Sequence, residues 1–149
     1  MSLGRELNQI IYNQIKDDTD WISYTGATAK DPRIYKGRTP AHVQISDSKP
    51  AYGVYYRSGS IYSSNVVITA GRNDYVYIVE IYSKDTDTLD EIGYLIERIF
   101  REKRFTSTNY IVNLTYASRG SYSWDDARQL FFETVTISLT HILALNESS

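Results

Sequence analysis

The chain has no cysteine, and its 149 residues include one methionine, three prolines, two tryptophans and two histidines. The missing cysteine excludes a disulfide framework, thiolate zinc sites, iron–sulfur ligation and a cysteine nucleophile. With His42 and His141 far apart in the chain, no local imidazole spacing points to a metal site or an acid/base pair. No run approaches the roughly 20 apolar residues of a membrane span, and the N-terminus lacks a charged-then-apolar signal pattern. The expectation is a soluble protein with no membrane association and no cleaved signal. Sixteen basic against 18 acidic residues leave no global attraction for nucleic acid. What the chain does have is tyrosine, 14 residues against four phenylalanines. Tyrosine suits surfaces that are dry on one side and wet on the other, so the composition leans toward binding or assembly.

The length fits one domain, with a helix over 1–17, a long loop over 18–50, an antiparallel meander over 51–83, a helix over 88–104 and a final strand pair over 109–143. Leu3, Leu7, Ile10, Ile11 and Ile15 share one face of the first helix. The loop contains Pro32, Pro40 and Pro50, with room for one short edge strand at Arg33-Ile34-Tyr35. From Ala51 the period becomes two. Strands are expected around Tyr52–Tyr56, Val66–Ile68 and Tyr75–Tyr82, with a turn at Gly71–Asp74. Thr88 and Glu91 have capping-box spacing at the start of the second helix. Tyr110, Val112, Leu114 and Tyr116 then alternate with polar residues. So do Phe131, Val135, Ile137, Leu139 and Leu143, with Glu133 interrupting and His141 in the apolar phase. The expected fold class is α+β: a mostly antiparallel sheet of about five strands with two helices packed on one face.

Chemistry is hard to find. Ser58-Gly59-Ser60 and Gly120-Ser121-Tyr122-Ser123 lack the second glycine of a nucleophile elbow. Gly37-Arg38-Thr39-Pro40 lacks the spacing of a phosphate loop. Asp85–Asp90 fails as a calcium loop at Leu89 and at the missing glycine. Asp17-Asp18-Thr19-Asp20 reads as a solvated helix end, and Asp125-Asp126 as adjacent acids that rarely face one substrate. The sequons at Asn113 and Asn146 read as chance matches without a secretion signal. The expectation is therefore no catalytic residues, no metal and no cofactor. What remains are arginines and aromatics in loops: Arg33, Tyr35, Arg38, Arg57, Tyr62, Arg72, Arg119, Tyr122, Trp124 and Arg128. These residue types dominate protein-interface hot spots.

The order of elements, with Arg33-Ile34-Tyr35, Tyr52-Gly53-Val54-Tyr55-Tyr56 and Val76-Tyr77-Ile78-Val79-Glu80-Ile81-Tyr82-Ser83 followed by a helix and two long strands, resembles the tail-completion and tail-terminator (head–tail joining) proteins of long-tailed bacteriophages and prophages. That resemblance covers about Leu7 to Leu143. It implies a non-enzymatic virion assembly subunit that forms a ring homo-oligomer, commonly a hexamer. The ring would cap the tail tube, bind the tail tube protein and the head connector protein, and let DNA pass without specific binding. It would be built in the host bacterial cytoplasm and end in the tail or neck of the virion. The arginine and tyrosine loops would then supply subunit, tail or connector contacts, and Thr134, Thr136, Ser138 and Thr140 a candidate lumen face. A head-completion or connector protein of the neck and an aromatic-rich glycan-binding module are the alternatives.

Overall fold

The computed structural model describes residues 2–41, 43–60 and 73–145. His42, Tyr62, Arg72, the Val66–Ile68 strand, Gly71 of the expected turn and the sequon at Asn146 lie outside the described residues.

Three helices, α1 (Leu3–Lys16), α2 (Thr19–Thr25) and α3 (Thr86–Phe100), accompany seven strands: β1 (Ile34–Lys36), β2 (Ala51–Ser60), β3 (Asn73–Ser83), β4 (Phe105–Thr106), β5 (Tyr110–Arg119), β6 (Ser123–Asp125) and β7 (Leu130–Ala144). The sheet order is β1-β2-β3-β7-β5-β4, with β6 also on β7, and the sheet curls into a half-barrel. All neighbours are antiparallel except β1 on β2. This corrects the expected five-stranded, two-helix arrangement. The differences are physical: β4 and β6 are two or three residues long, below what a period-two pattern can reveal, and a third helix lies inside the expected loop, while the short edge strand expected at Arg33-Ile34-Tyr35 is β1, one residue further on.

That helix, α2, starts where the Asp18 carboxylate accepts from the amides of Asp20 and Trp21, and it ends at Gly26 with φ 71°. Trp21 is fully buried, and its indole N–H donates to the Pro32 carbonyl at 2.9 Å. The start of α3 is also corrected. Asp85, not Thr88, is the cap, taking the amide of Asp87 at 2.9 Å, and Thr88 turns its hydroxyl back to Asp85. Asn73 and Asp74, expected in a turn, belong to β3.

The helices cover one face of the sheet. Leu7, Ile11 and Ile15 of α1, Trp21 of α2, and Leu89, Ile92, Ile96 and Phe100 of α3 bury against Tyr77, Val79, Ile81, Val135, Ile137 and Leu139. Complete burial of such side chains contributes roughly 1.5–3 kcal/mol each. A smaller cluster on the other face joins Tyr52, Val54, Tyr82 and Leu130 to Val43 and Ile45 of the 37–50 segment. Two polar contacts fix α1: buried Glu6 accepts from the amide and side chain of Asn109, and the Tyr77 hydroxyl meets the Asn8 amide at 2.6 Å.

The last strand changes phase near its end. Val135, Ile137 and Leu139 are buried, but so is Ile142, while Leu143 is 41% exposed. His141 causes the switch: it adopts φ 54°, faces solvent and takes the side-chain amide of Asn113 on its carbonyl at 2.9 Å. The expected apolar face of β5 is corrected in the same place. Val112 and Thr115 are buried, whereas Tyr116 is 49% exposed.

Candidate functional site

Two rims of the sheet carry Arg119 and Tyr122, and Arg38 and Arg57, of the side chains singled out in the sequence. At the β5–β7 rim, Arg119 reaches over α3. Its Nε donates to Glu133 Oε1 at 2.8 Å and its Nη2 to Glu133 Oε2 and Asp90 Oδ1, both at 3.0 Å; Glu97 lies 3.7 Å away. Gly93 makes the crossing feasible, because a Cβ there would come within 2.5 Å of Arg119 Nε. Glu133, read in the sequence only as an interruption, is the buried anchor of this cluster at 1% exposure. Burial pushes its carboxyl up, against the pull of Arg119, while the bidentate bond to Glu133 holds the guanidinium firmly protonated. The Asp90 carboxylate beside Tyr122 pushes that phenol up to about 12. Together they line a cavity of about 460 Å³. Counting Arg101, which binds Glu97, three carboxylates face two guanidiniums, so the rim is anionic and suits a cationic side chain.

The opposite rim is basic. Arg5, Lys36 and Arg57 line a cavity of about 720 Å³ at the start of α1. A neighbouring groove of about 590 Å³ follows β1, with an apolar floor that includes Tyr12, Ile34 and Tyr55, and with Lys36 and Arg38 on its walls. Arg57 also lies over the Tyr75 ring at 5.6 Å. Among the described residues, no ion pair engages Arg5, Lys36, Arg38 or Arg57.

Other residues from the sequence reading fall elsewhere. Arg33 is 1% exposed with φ 61°, and its guanidinium donates to the carbonyls of Ala51, Gln44 and Lys49, latching the 37–50 segment onto the sheet. Tyr35 donates to Asp31 at 2.6 Å, and burial plus that carboxylate raise its phenol. Arg128 covers Tyr82 at 4.8 Å and closes a row of rings, Tyr35–Tyr52–Tyr82–Phe132, stacked or tilted at 5.1–6.2 Å. Trp124 meets Phe131 edge-on yet remains 48% exposed. Thr134, Thr136, Ser138 and Thr140 are half-buried on the face away from the helices, where Thr140 donates to the Leu114 carbonyl. Among the described residues, no group of three or more His, Asp or Glu is placed to hold a metal ion. No helix among them is long and apolar enough to cross a membrane.

No family model matches the chain, and no curated protein matches it. Solved structures do. One chain from the virion of the native gene transfer agent (GTA) particle superposes with a TM-score of 0.70 at 8% identity, over 93% of this chain and 96% of that one. At that identity the likeness is one of fold: this chain shares the architecture of a gene transfer agent virion chain along nearly its whole length.

Proposed function

We propose that the chain is a structural, non-enzymatic component of a phage-type virion. More specifically, it is the terminator subunit of the neck, which closes into a ring, commonly of six copies, on the head-proximal end of the tail tube and joins it to the head connector. The observation that carries this reading is the near full-length likeness to a chain of a virion particle. The oppositely charged rims support it, because a ring requires two different, complementary surfaces on each subunit. Arg38, Arg57, Tyr122 and Trp124 are the contact residues that this reading places on the outside, toward neighbouring copies, tube or connector. Thr134, Thr136, Ser138 and Thr140 face the lumen, where uncharged hydroxyls let DNA slide without capture. Assembly takes place in the bacterial cytoplasm.

The test is co-sedimentation of the purified chain with tail tubes and with portal-bearing heads, followed by imaging of the pelleted particles. Density at the head-proximal end of the tube is the expected result. Binding to heads alone would move the chain to the connector side of the neck, and binding to neither would overturn the reading.

A further inference from the structure

We infer that the sheet continues from copy to copy: residues 34–36 of β1 in one subunit pair antiparallel with residues 117–119 of β5 in the next. This deepens the ring reading above by naming its contact.

The backbone accounting comes first. In the parallel β1–β2 ladder, Gly53 donates to the Arg33 carbonyl and Gly37 to the Tyr55 carbonyl, with Tyr35 opposite Val54. The N–H and C=O groups of Ile34 and Lys36 therefore point away from the sheet. In β5, Gly120 donates to Thr134, so from Leu114 onward even-numbered residues bond β7 and odd-numbered ones face outward. The outward carbonyl of Thr115 is taken by the amide of Glu102, and β4 covers only Ile111 and Val112. Past Thr115, the outward groups of Ala117 and Arg119 meet no partner among the described residues. Unpaired edges of this kind are templates for another strand.

The two edges stand close to level. Lys36, Tyr55, Val79, Val135 and Arg119 form one cross-strand row. Pairing residues 34–36 with 117–119 sets Ile34 opposite Arg119 and Lys36 opposite Ala117, about two residues off that row, a stagger that strands tilted to the ring axis absorb when a sheet closes on itself. Strand directions alternate from β2 to β5, and β1 runs with β2, so a rotation that keeps the sheet upright makes the new pair antiparallel. Charge agrees with this pairing. Lys36 lies on the helix-covered side of the row, as does Arg119 with its carboxylates Asp90, Glu97 and Glu133. The joined edges set the cation against the anionic rim, and the grooves of about 590 and 460 Å³ leave space beside each edge.

The test uses the intact chain alone, by light scattering behind size exclusion from micromolar to millimolar concentration. Lys36→Pro and Ala117→Pro each remove an outward N–H without breaking a ladder bond inside the subunit. Each should weaken self-association about tenfold or more while circular dichroism stays unchanged. Should either proline disturb folding, surface charges decide: Lys36→Glu and Asp90→Lys should each weaken assembly, and the double variant should restore it. Hydrogen exchange should show the outward amides of Ile34, Lys36, Ala117 and Arg119 exchanging fast in the monomer and slowly in the ring. Rings that survive both prolines with those amides still unprotected would overturn the edge pairing and leave the ring reading intact. A chain that stays monomeric at millimolar concentration also overturns it, while tube co-sedimentation separately decides the virion role.

Discussion

Arg119 and Glu133 form a two-pronged ion pair, at 2.8 and 3.0 Å, that ties the end of β5 to the buried interior of β7 beneath α3. Glu133 is almost wholly out of water, whereas Arg119 keeps about a quarter of its side chain wet. Removing the cation therefore strands a buried carboxylate. Arg119→Met should cost about 2–4 kcal/mol in urea unfolding, the lower end reflecting the solvated outer edge of the guanidinium. Adding Glu133→Leu should recover part of that loss.

A glycine in mid-helix normally gives way to alanine with a gain near 1 kcal/mol. Gly93→Ala should instead lose about 1–3 kcal/mol, since its Cβ would press on Arg119 Nε and on Glu133 Oε2, 2.5 and 2.8 Å away. The same substitution in the Arg119→Met background should cost less, because only the contact with Glu133 Oε2 remains, and thermal melts of the four combinations check the coupling.

The acid limb of stability should depend on Glu6. Burial disfavours its charge, but the donors from Asn109 outweigh burial and hold the carboxyl below the ordinary value of 4.5. As pH falls, the unfolded chain takes up this proton before the folded one. The stabilisation is whole above about 4.5 and drains away as pH drops through the lower folded value. Glu6→Gln should cost about 1–3 kcal/mol at pH 7 and flatten the loss of stability toward acid, measured by urea titrations from pH 7 to pH 3.

Arg33 serves three carbonyls from one planar group, and lysine has no such fork. Arg33→Lys should loosen the 37–50 segment, at a cost of about 2–3 kcal/mol. Limited trypsin digestion should then cut at Arg38 or Lys49 faster than in the natural chain. Equal cutting rates would show that the latch is not needed.

The parts legible in the sequence were those with long, regular burial. Leu7, Ile11 and Ile15, or Leu89, Ile92 and Ile96, repeat over enough turns to announce α1 and α3. Two features escaped, helix α2 and the parallel pairing of the short strand expected at Arg33-Ile34-Tyr35. Only Trp21 and Thr25 of α2 are buried, too few to mark a period, though Asp18 before it and Gly26 after it were cap signals in plain view. Strand β1 is three residues long, and its parallel partner lies across a loop. At the candidate site, Arg119, Tyr122 and Trp124 stood out by type. Glu133 did not, because its meaning depends on Arg119 fourteen positions earlier and on Gly93 of α3. Arg33 misled for the opposite reason: a loop arginine looks exposed until three carbonyls are found around it.

The kink at His141 bears on how this chain can change length. Val112 and Thr115 share a face three positions apart, as do Leu139 and Ile142, yet the pairing register between the two strands never slips. Each strand therefore holds one surplus residue in the same row, Asn113 beside His141. Deleting either alone would offset everything beyond it and carry Tyr110 or Ile142 out of register. Deleting both would leave every buried side chain facing inward. Insertions and deletions at this spot are thus tolerated in matched pairs, and a homologue one residue shorter in either strand should be found shorter in the other.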